Sequence, residues 1–170
     1  MYWTKHHVLC CTASHCTQKG ANDVIMQVRR EVMRRGLESE ILVNTCGTID
    51  LCDIGPNIVV YPEGVIYSGV TTKDVKDLIG AIAGGEVLDR LVLGPESEAE
   101  QARRGFYAEI VSGDGPLPAT EVEAIAATRG FAGDWLGEQA RRGFVARKPG
   151  VDGAPETIAA TKKARDRYRI

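Results

Sequence analysis

Five cysteines are the residues of this chain best suited to carry out chemistry. They are Cys10, Cys11, Cys16, Cys46 and Cys52, and all of them lie in the first third of the 170-residue sequence. The odd number argues against a framework of disulfides, and the N-terminus lacks the apolar stretch of an export signal. The cysteines therefore indicate metal binding, redox chemistry or buried thiols, and we expect a cytoplasmic protein.

Two predicted strands position these cysteines. Residues 7–11 form a short apolar run that predicts a strand, and residues 40–44 predict a second one. Between them, residues 22–36 carry apolar side chains at helical spacing and end at a glycine. A strand, a helix and a strand in this order favour two parallel strands joined by a right-handed crossover.

Four of the cysteines are expected to meet at one end of the sheet. Cys11 and Cys16 follow the first strand and Cys46 and Cys52 follow the second, so parallel strands bring both pairs to the same rim. Four thiolates are the usual ligands of an iron–sulfur cluster. Cys10 points to the opposite side of its strand from Cys11, and we expect it to be a buried, inert thiol.

Two other kinds of cysteine site fit this pattern less well. A structural zinc site also uses four cysteines, but zinc modules usually hold a cysteine pair on a tight knuckle. A thiol–disulfide oxidoreductase needs a Cys-x-x-Cys sequence at a helix N-terminus, and this sequence has none. An iron–sulfur site is therefore the favoured interpretation, with zinc as the alternative.

The elements that follow complete a small α/β fold. Residues 57–62 and 65–68 predict an antiparallel hairpin, and residues 89–93 predict a short edge strand. A helix capped by Thr72 is predicted to run as far as Gly84. The predicted order, β-α-β-β-β-α, is that of a thioredoxin-like mixed β-sheet with two main helices.

A second region begins after Gly94-Pro95, where the dipeptide marks a boundary. We predict one domain over residues 1–94 and a small, mainly helical C-terminal extension over residues 95–170. The helices predicted in the extension span residues 118–129, 134–142 and 155–169.

The extension contains a repeated heptapeptide. The sequence Glu-Gln-Ala-Arg-Arg-Gly-Phe occurs at residues 100–106 and again at residues 138–144. The repeat predicts two helix ends, with Gly105 and Gly143 as the residues that cap them.

Segments of the first domain carry a longer pattern of residues. They span residues 7–11, 16–21, 52–56, 59–65 and 67–70. In this order and spacing, over about residues 5–93, the chain resembles the thioredoxin-like [2Fe–2S] ferredoxin family. The resemblance implies a homodimer with a [2Fe–2S] cluster near the surface, held by ligands that include Cys11, Cys16 and Cys52.

The remaining ligand departs from the spacing of that family. The family usually has three residues between its last two cysteines, and this chain has Thr48 at the corresponding position. Cys46 follows Thr45, and we expect it to take the ligand position in a loop that is two residues longer. The expected ligand set is therefore Cys11, Cys16, Cys46 and Cys52.

The resemblance also implies a function. We expect a one-electron carrier between a reductase and an acceptor oxidoreductase, and not an enzyme, because the sequence has no nucleophile–base pair or phosphate loop. The alternative is a cluster-bearing sensor, or an assembly or docking module, whose C-terminal extension binds a specific partner. The formal net charge of −2 and the lack of a long apolar segment predict that neither nucleic acid nor a membrane is a partner.

The first predicted helix is basic on its solvated side. The cations are Lys19, Arg29, Arg30, Arg34 and Arg35. A helix of this kind has two interpretations, a solvated surface or a docking face that steers a redox partner.

Overall fold

The computed structural model describes residues 3–51, 54–113 and 115–170. The chain forms two compact units, Met1–Gly94 and Pro95–Ile170. Each unit has its own cluster of buried apolar side chains. None of the helices in the described part of the chain has the length and apolar character needed to cross a lipid bilayer.

The first unit is built on a four-stranded mixed sheet in the order β2-β1-β3-β4. β1 pairs with β2 in parallel and with β3 in antiparallel orientation, and β3 and β4 form an antiparallel hairpin. The strands are β1 (His6–Cys11), β2 (Ile41–Cys46), β3 (Ile58–Tyr61) and β4 (Val65–Tyr67). The parallel pair and the hairpin are those that the sequence predicts.

Three helices accompany this sheet: α1 (Ser14–Gln18), α2 (Ala21–Arg34) and α3 (Val75–Gly84). The apolar stripes of α2 and α3 pack on the same core as Val8 and Cys10 of β1. This periodic burial explains why these sequences fold as helices, since a helix in water gains most of its stability from packing an apolar face.

The opposite face of the sheet carries a second set of apolar side chains. Because side chains alternate along a strand, Leu9, Leu42 and Ile66 point away from the face that packs on α2 and α3. They are partly buried and belong to none of the described core clusters. The sheet therefore has one face packed on helices and one face that these helices leave uncovered.

Two details of the first unit differ from the sequence prediction. Residues 89–93 form a short 3₁₀ helix, Asp89–Leu91, and a single bridge between Val92 and Tyr67 instead of an edge strand. Helix α3 begins at Val75, after Thr72, because the Asp74 carboxylate accepts hydrogen bonds from the Thr71 amide (2.9 Å) and hydroxyl (2.6 Å). These bonds close a turn before the helix starts.

The second unit combines four helices with a three-stranded antiparallel sheet in the order β5-β7-β6. A helix, a strand, two helices and a hairpin in this order, with this strand pairing, have the topology of a winged helix-turn-helix. The elements are α4 (Glu98–Val111), β5 (Leu117–Pro118), α5 (Ala119–Thr128), α6 (Trp135–Arg141), β6 (Val145–Lys148), β7 (Thr157–Ala160) and α7 (Lys162–Tyr168).

The sequence prediction of this unit was right for α5 and α6 but missed the sheet. The helix predicted over residues 155–169 is divided into β7 and α7, because Ile158 of β7 is fully buried and pairs with both β5 and β6.

The two glycines of the repeated heptapeptide also differ from each other. Gly143 follows α6 with a φ of +73°, as a C-cap should, whereas Gly105 lies inside α4. At Gly105 the Cζ atom of Arg129 lies 2.9 Å from the position a Cβ would take, so the glycine makes room for this side chain.

Candidate metal centre

Three of the four predicted ligands lie together at the C-terminal end of the parallel strands. Cys11 is the last residue of β1 and pairs in register with Cys46, the last residue of β2. Cys11 and Cys16 are fully buried and form one cluster with Ala21, against which Cys46 packs. The parallel pairing therefore brings Cys11, Cys16 and Cys46 to one rim, as the order of strands predicts.

Backbone hydrogen bonds fix the end of β1 to both neighbouring strands. The Cys11 amide donates to the Asn57 carbonyl at 2.9 Å. On the other side, the Cys46 carbonyl accepts from both the amide and the hydroxyl of Thr12, each at 2.9 Å. Because two donors converge on the carbonyl of Cys46, the position of this cysteine relative to Cys11 is well determined.

The fourth predicted ligand, Cys52, lies outside the described residues, as does Asp53. The chain on both sides of it is anchored. Leu51 is buried, and its carbonyl accepts a hydrogen bond of 2.6 Å from the Asn57 side-chain amide and another of 3.1 Å from the Ile54 amide. The Ile54 carbonyl in turn accepts from the Gly69 amide at 2.8 Å.

Asn57 is a site residue that the sequence reasoning missed. The residue is 1% exposed. Its side-chain amide donates to the Leu51 carbonyl, and its backbone carbonyl accepts from the Cys11 amide. Its side-chain oxygen has no hydrogen-bond partner within the described structure. The signal available in the sequence was a polar residue directly before the apolar run that forms β3.

Cys10 has different surroundings from the other described cysteines. It is 2% exposed and packs in the main core of the first unit, among side chains of the sheet and of α2 and α3. Burial is the largest cause that raises the pKa of the Cys10 thiol, from 9.0 to about 12. Its predicted burial is confirmed, and the thiolate needed by a metal ligand is strongly disfavoured at this position.

The donor set fits an iron–sulfur cluster in its chemistry. Cys11, Cys16 and Cys46 are free thiols and form no disulfide. Cys11 and Cys46 end two strands and Cys16 lies in a short helix, and the three side chains pack together in one cluster. Over residues 3–51, 54–113 and 115–170, no group of three or more His, Cys, Asp or Glu side chains is arranged to hold a single metal ion.

Comparisons with known proteins identify the family. No family model matches the sequence. A 2Fe-2S ferredoxin of Clostridium pasteurianum is 38% identical over 96 residues, which cover 51% of this chain and 94% of the ferredoxin. The chain belongs to the [2Fe–2S] ferredoxin family.

The other similarities agree with this membership. A 2Fe-2S ferredoxin of Aquifex aeolicus is 31% identical over 80 residues, which cover 46% of this chain and 72% of the relative. The crystal structure of a thioredoxin-like [2Fe-2S] ferredoxin from the same organism has a TM-score of 0.51 and 28% identity, covering 54% of this chain and 98% of that structure. The predicted thioredoxin-like α/β fold and the predicted family are thus confirmed.

Proposed function

We propose that this ferredoxin binds one [2Fe–2S] cluster through the thiolates of Cys11, Cys16, Cys46 and Cys52 and acts as a one-electron carrier. The observation that carries the proposal is the buried cluster in which Cys11 and Cys16 pack with Cys46 at the rim of the sheet. When bound, a [2Fe–2S] cluster supplies a reversible one-electron change and no substrate chemistry.

The surrounding residues position the ligands and limit access of water. Cys11 and Cys16 are buried, whereas Cys46 is partly exposed and followed by the exposed residues Gly47 and Thr48. One side of the centre therefore lies close to the surface, which suits electron exchange with another protein. Thr12, which follows β1, donates both of its hydrogen bonds to Cys46 at the end of β2, and Asn57 connects Leu51 to Cys11 of β1.

The partners we propose are a donor reductase and an acceptor oxidoreductase, with no catalytic group of the chain's own. A homodimer is part of the proposal, and it is supported by the apolar sheet face of Leu9, Leu42 and Ile66 that α2 and α3 leave uncovered. A cytoplasmic location is also part of it, because thiolate ligands require a reducing compartment.

A second candidate function is that of a cluster-bearing sensor or docking module whose C-terminal unit binds a specific partner. It is favoured by the separate core of residues 95–170 and by the winged-helix topology of this unit. Two cations of this unit pair with carboxylates, since Arg141 of α6 binds Asp134 at 2.9 Å and Arg147 of β6 lies 3.4 Å from Glu156.

The ligand set is tested by comparing two single-cysteine variants. The protein is prepared anaerobically, and iron, sulfide, visible absorption and the electron paramagnetic resonance of the dithionite-reduced state are measured for wild type, Cys46→Ser and Cys10→Ser. We expect Cys10→Ser to keep the stoichiometry and spectrum of a [2Fe–2S] cluster, and Cys46→Ser to lose the cluster or change its spectrum. A wild-type protein without sulfide-to-iron absorption bands would overturn the proposal, and an unchanged Cys46→Ser spectrum would remove Cys46 from the ligand set.

A further inference from the structure

One surface of helix α2 carries exposed methionines. Met26 is 59% exposed and Met33 is 68% exposed, although most apolar residues of this helix face the core. The two methionines are seven residues apart, which places them on the same side of the helix. Arg29 and Arg30 are exposed and lie between them on that side. We refer to Met26, Arg29, Arg30 and Met33 as the Met–Arg stripe.

The arginines of the stripe differ from the next two arginines of the helix. Arg34 and Arg35 both bind the buried Glu31, with N–O distances of 2.6 to 2.8 Å, and Arg35 also donates to the Lys76 carbonyl of α3. Within the described residues, Arg29 and Arg30 form no ion pair with a carboxylate, and Arg30 donates only to the neutral Gln27 amide at 3.3 Å. Arg34 and Arg35 are therefore engaged in contacts within the first unit, whereas the guanidinium groups of Arg29 and Arg30 face solvent.

The stripe starts close to the candidate metal centre. Ala21, the first residue of α2, packs in the cluster of Cys11 and Cys16. With a rise of 1.5 Å per residue, Met26 lies about 8 Å and Met33 about 18 Å along the helix axis from Ala21. A protein bound along the stripe would therefore sit beside the buried cysteines.

The composition of the stripe indicates the chemistry of what it binds. Methionine and arginine are enriched in protein interfaces, and methionine adapts its shape to different partners. Unpaired cations favour an acidic surface, and they steer its approach at a rate that depends on ionic strength. Thioether side chains, in contrast, contribute nothing to the binding of a phosphate backbone, so an acidic protein fits the stripe better than nucleic acid does.

We propose that the Met–Arg stripe is the docking surface for an acidic redox partner protein. This proposal rests on the electron-carrier function proposed above and specifies the charge of the partner. Of the two interpretations of the basic helix, a solvated surface or a docking face, the proposal favours the docking face. Among the arginines of the helix, it assigns this role to Arg29 and Arg30 only.

The test uses the methyl signals of methionine. The chain has three methionines, so a sample labelled with ¹³C-methyl methionine gives a simple NMR spectrum. Poly-L-glutamate serves as the acidic probe and is titrated into the full chain at low and at high salt. We expect the signals of Met26 and Met33 to shift at low salt and to return at high salt. In the double variant Arg29→Gln/Arg30→Gln, the apparent affinity should fall about three- to tenfold.

A matched control removes one positive charge elsewhere on the same unit. Lys5 precedes β1, at the opposite end of the strand from Cys11, and its exposed ammonium group is paired with Glu40 at 3.0 Å, so it is a cation that an acidic probe should not recruit. Lys5→Gln should leave the titration unchanged, whereas Arg30→Gln should weaken it. The proposal is overturned if the two methyl signals do not shift, if the double variant binds as wild type does, or if a single-stranded oligonucleotide binds the stripe more tightly than the probe.

The visible spectrum of each sample separates this proposal from the function on which it rests. A chain that lacks the cluster bands but still shows salt-dependent shifts at Met26 and Met33 contradicts the electron-carrier proposal alone. A chain with a normal cluster and no response at either methionine contradicts the docking proposal alone.

Discussion

Cys10 and Cys11 are neighbours in β1, yet the pleat of the strand gives their thiols different surroundings. Cys11 faces Cys16 and Cys46 at the rim, and Cys10 faces the main apolar core. There the loss of hydration raises the pKa of Cys10 to about 12, so its thiol stays protonated at neutral pH. The same residue type is therefore suited to bind a metal at one position and to fill a core at the next.

Glu31 makes a prediction about acid stability. Hydrogen bonds from Arg34, and then from Arg35, lower the pKa of this carboxyl from 4.5 to about 2. A lowered pKa means that the ionised carboxylate is more favourable in the folded state than in the unfolded state. Its contribution to the free energy of unfolding is therefore fully present above pH 4.5 and is lost as the pH falls towards 2. We expect urea unfolding to show a lower stability for Glu31→Gln than for wild type at pH 7. The difference should shrink at pH 3.

A control variant separates this effect from general acid denaturation. Glu38→Gln removes an exposed carboxyl beyond the end of α2 for which the structure shows no ion pair within its described part. Its stability should follow that of wild type at both pH values. If the gap between wild type and Glu31→Gln were as large at pH 3 as at pH 7, the ion pairs of Glu31 would not be the source of its contribution.

At the scale of elements, helices with a clear apolar stripe could be predicted from the sequence and short strands of the second unit could not. α2 and α3 were predicted because their buried residues recur at helical spacing. β7 has only four residues, and it is a strand because its hairpin partner β6 and the distant β5 both pair with it. Pairing between segments far apart in sequence leaves no local periodicity to detect.

The positions of the cysteines in the candidate metal centre could be predicted from the sequence, but the hydrogen bonds around them could not. The parallel order of β1 and β2 was enough to bring Cys11 and Cys46 into register. The contribution of Asn57 was not predictable, because it depends on a hydrogen bond to Leu51 across a loop. A polar residue before an apolar run is common in sequences, and only its burial distinguishes this one.

The two glycines of the repeated heptapeptide give a prediction for helices α4 and α6. Gly143 has a φ of +73°, so Gly143→Ala forces a side chain into the left-handed region and should cost about 1–2 kcal/mol. Gly105 is helical, and an added methyl group meets the guanidinium group of Arg129, which is partly exposed and paired with Glu109 at 2.6 Å, so helix propensity offsets part of the displacement. We expect chemical denaturation to show Gly105→Ala within about 1 kcal/mol of wild type. Equal losses for the two variants would mean that both glycines have the same structural role.

At the scale of the whole molecule, two units with separate cores share one chain. The first core joins the sheet to α2 and α3, and the second is rich in aromatic side chains, with Phe106 in edge contact with both Tyr107 and Trp135. The acidic and basic residues of positions 95–170 balance, so the net charge of −2 belongs to the first unit. The second unit consequently attracts no partner by net charge, and any recognition by it depends on local contacts.

Truncation after Leu93 distinguishes the two candidate functions. Among the residues that the structure describes, the core of the first unit extends no further than Val92. We therefore expect residues 1–93 to fold alone, with the circular dichroism of a mixed α/β protein and the visible bands of the full chain. Reduction by a generic flavin reductase should be as fast for the truncated chain as for the whole one. If the C-terminal unit recognises the acceptor, turnover with a physiological acceptor should fall only in the truncated chain, and adding residues 95–170 as a separate chain should not restore it. Turnover that is unchanged by truncation would remove the support for a docking role and leave the first unit as the complete electron carrier.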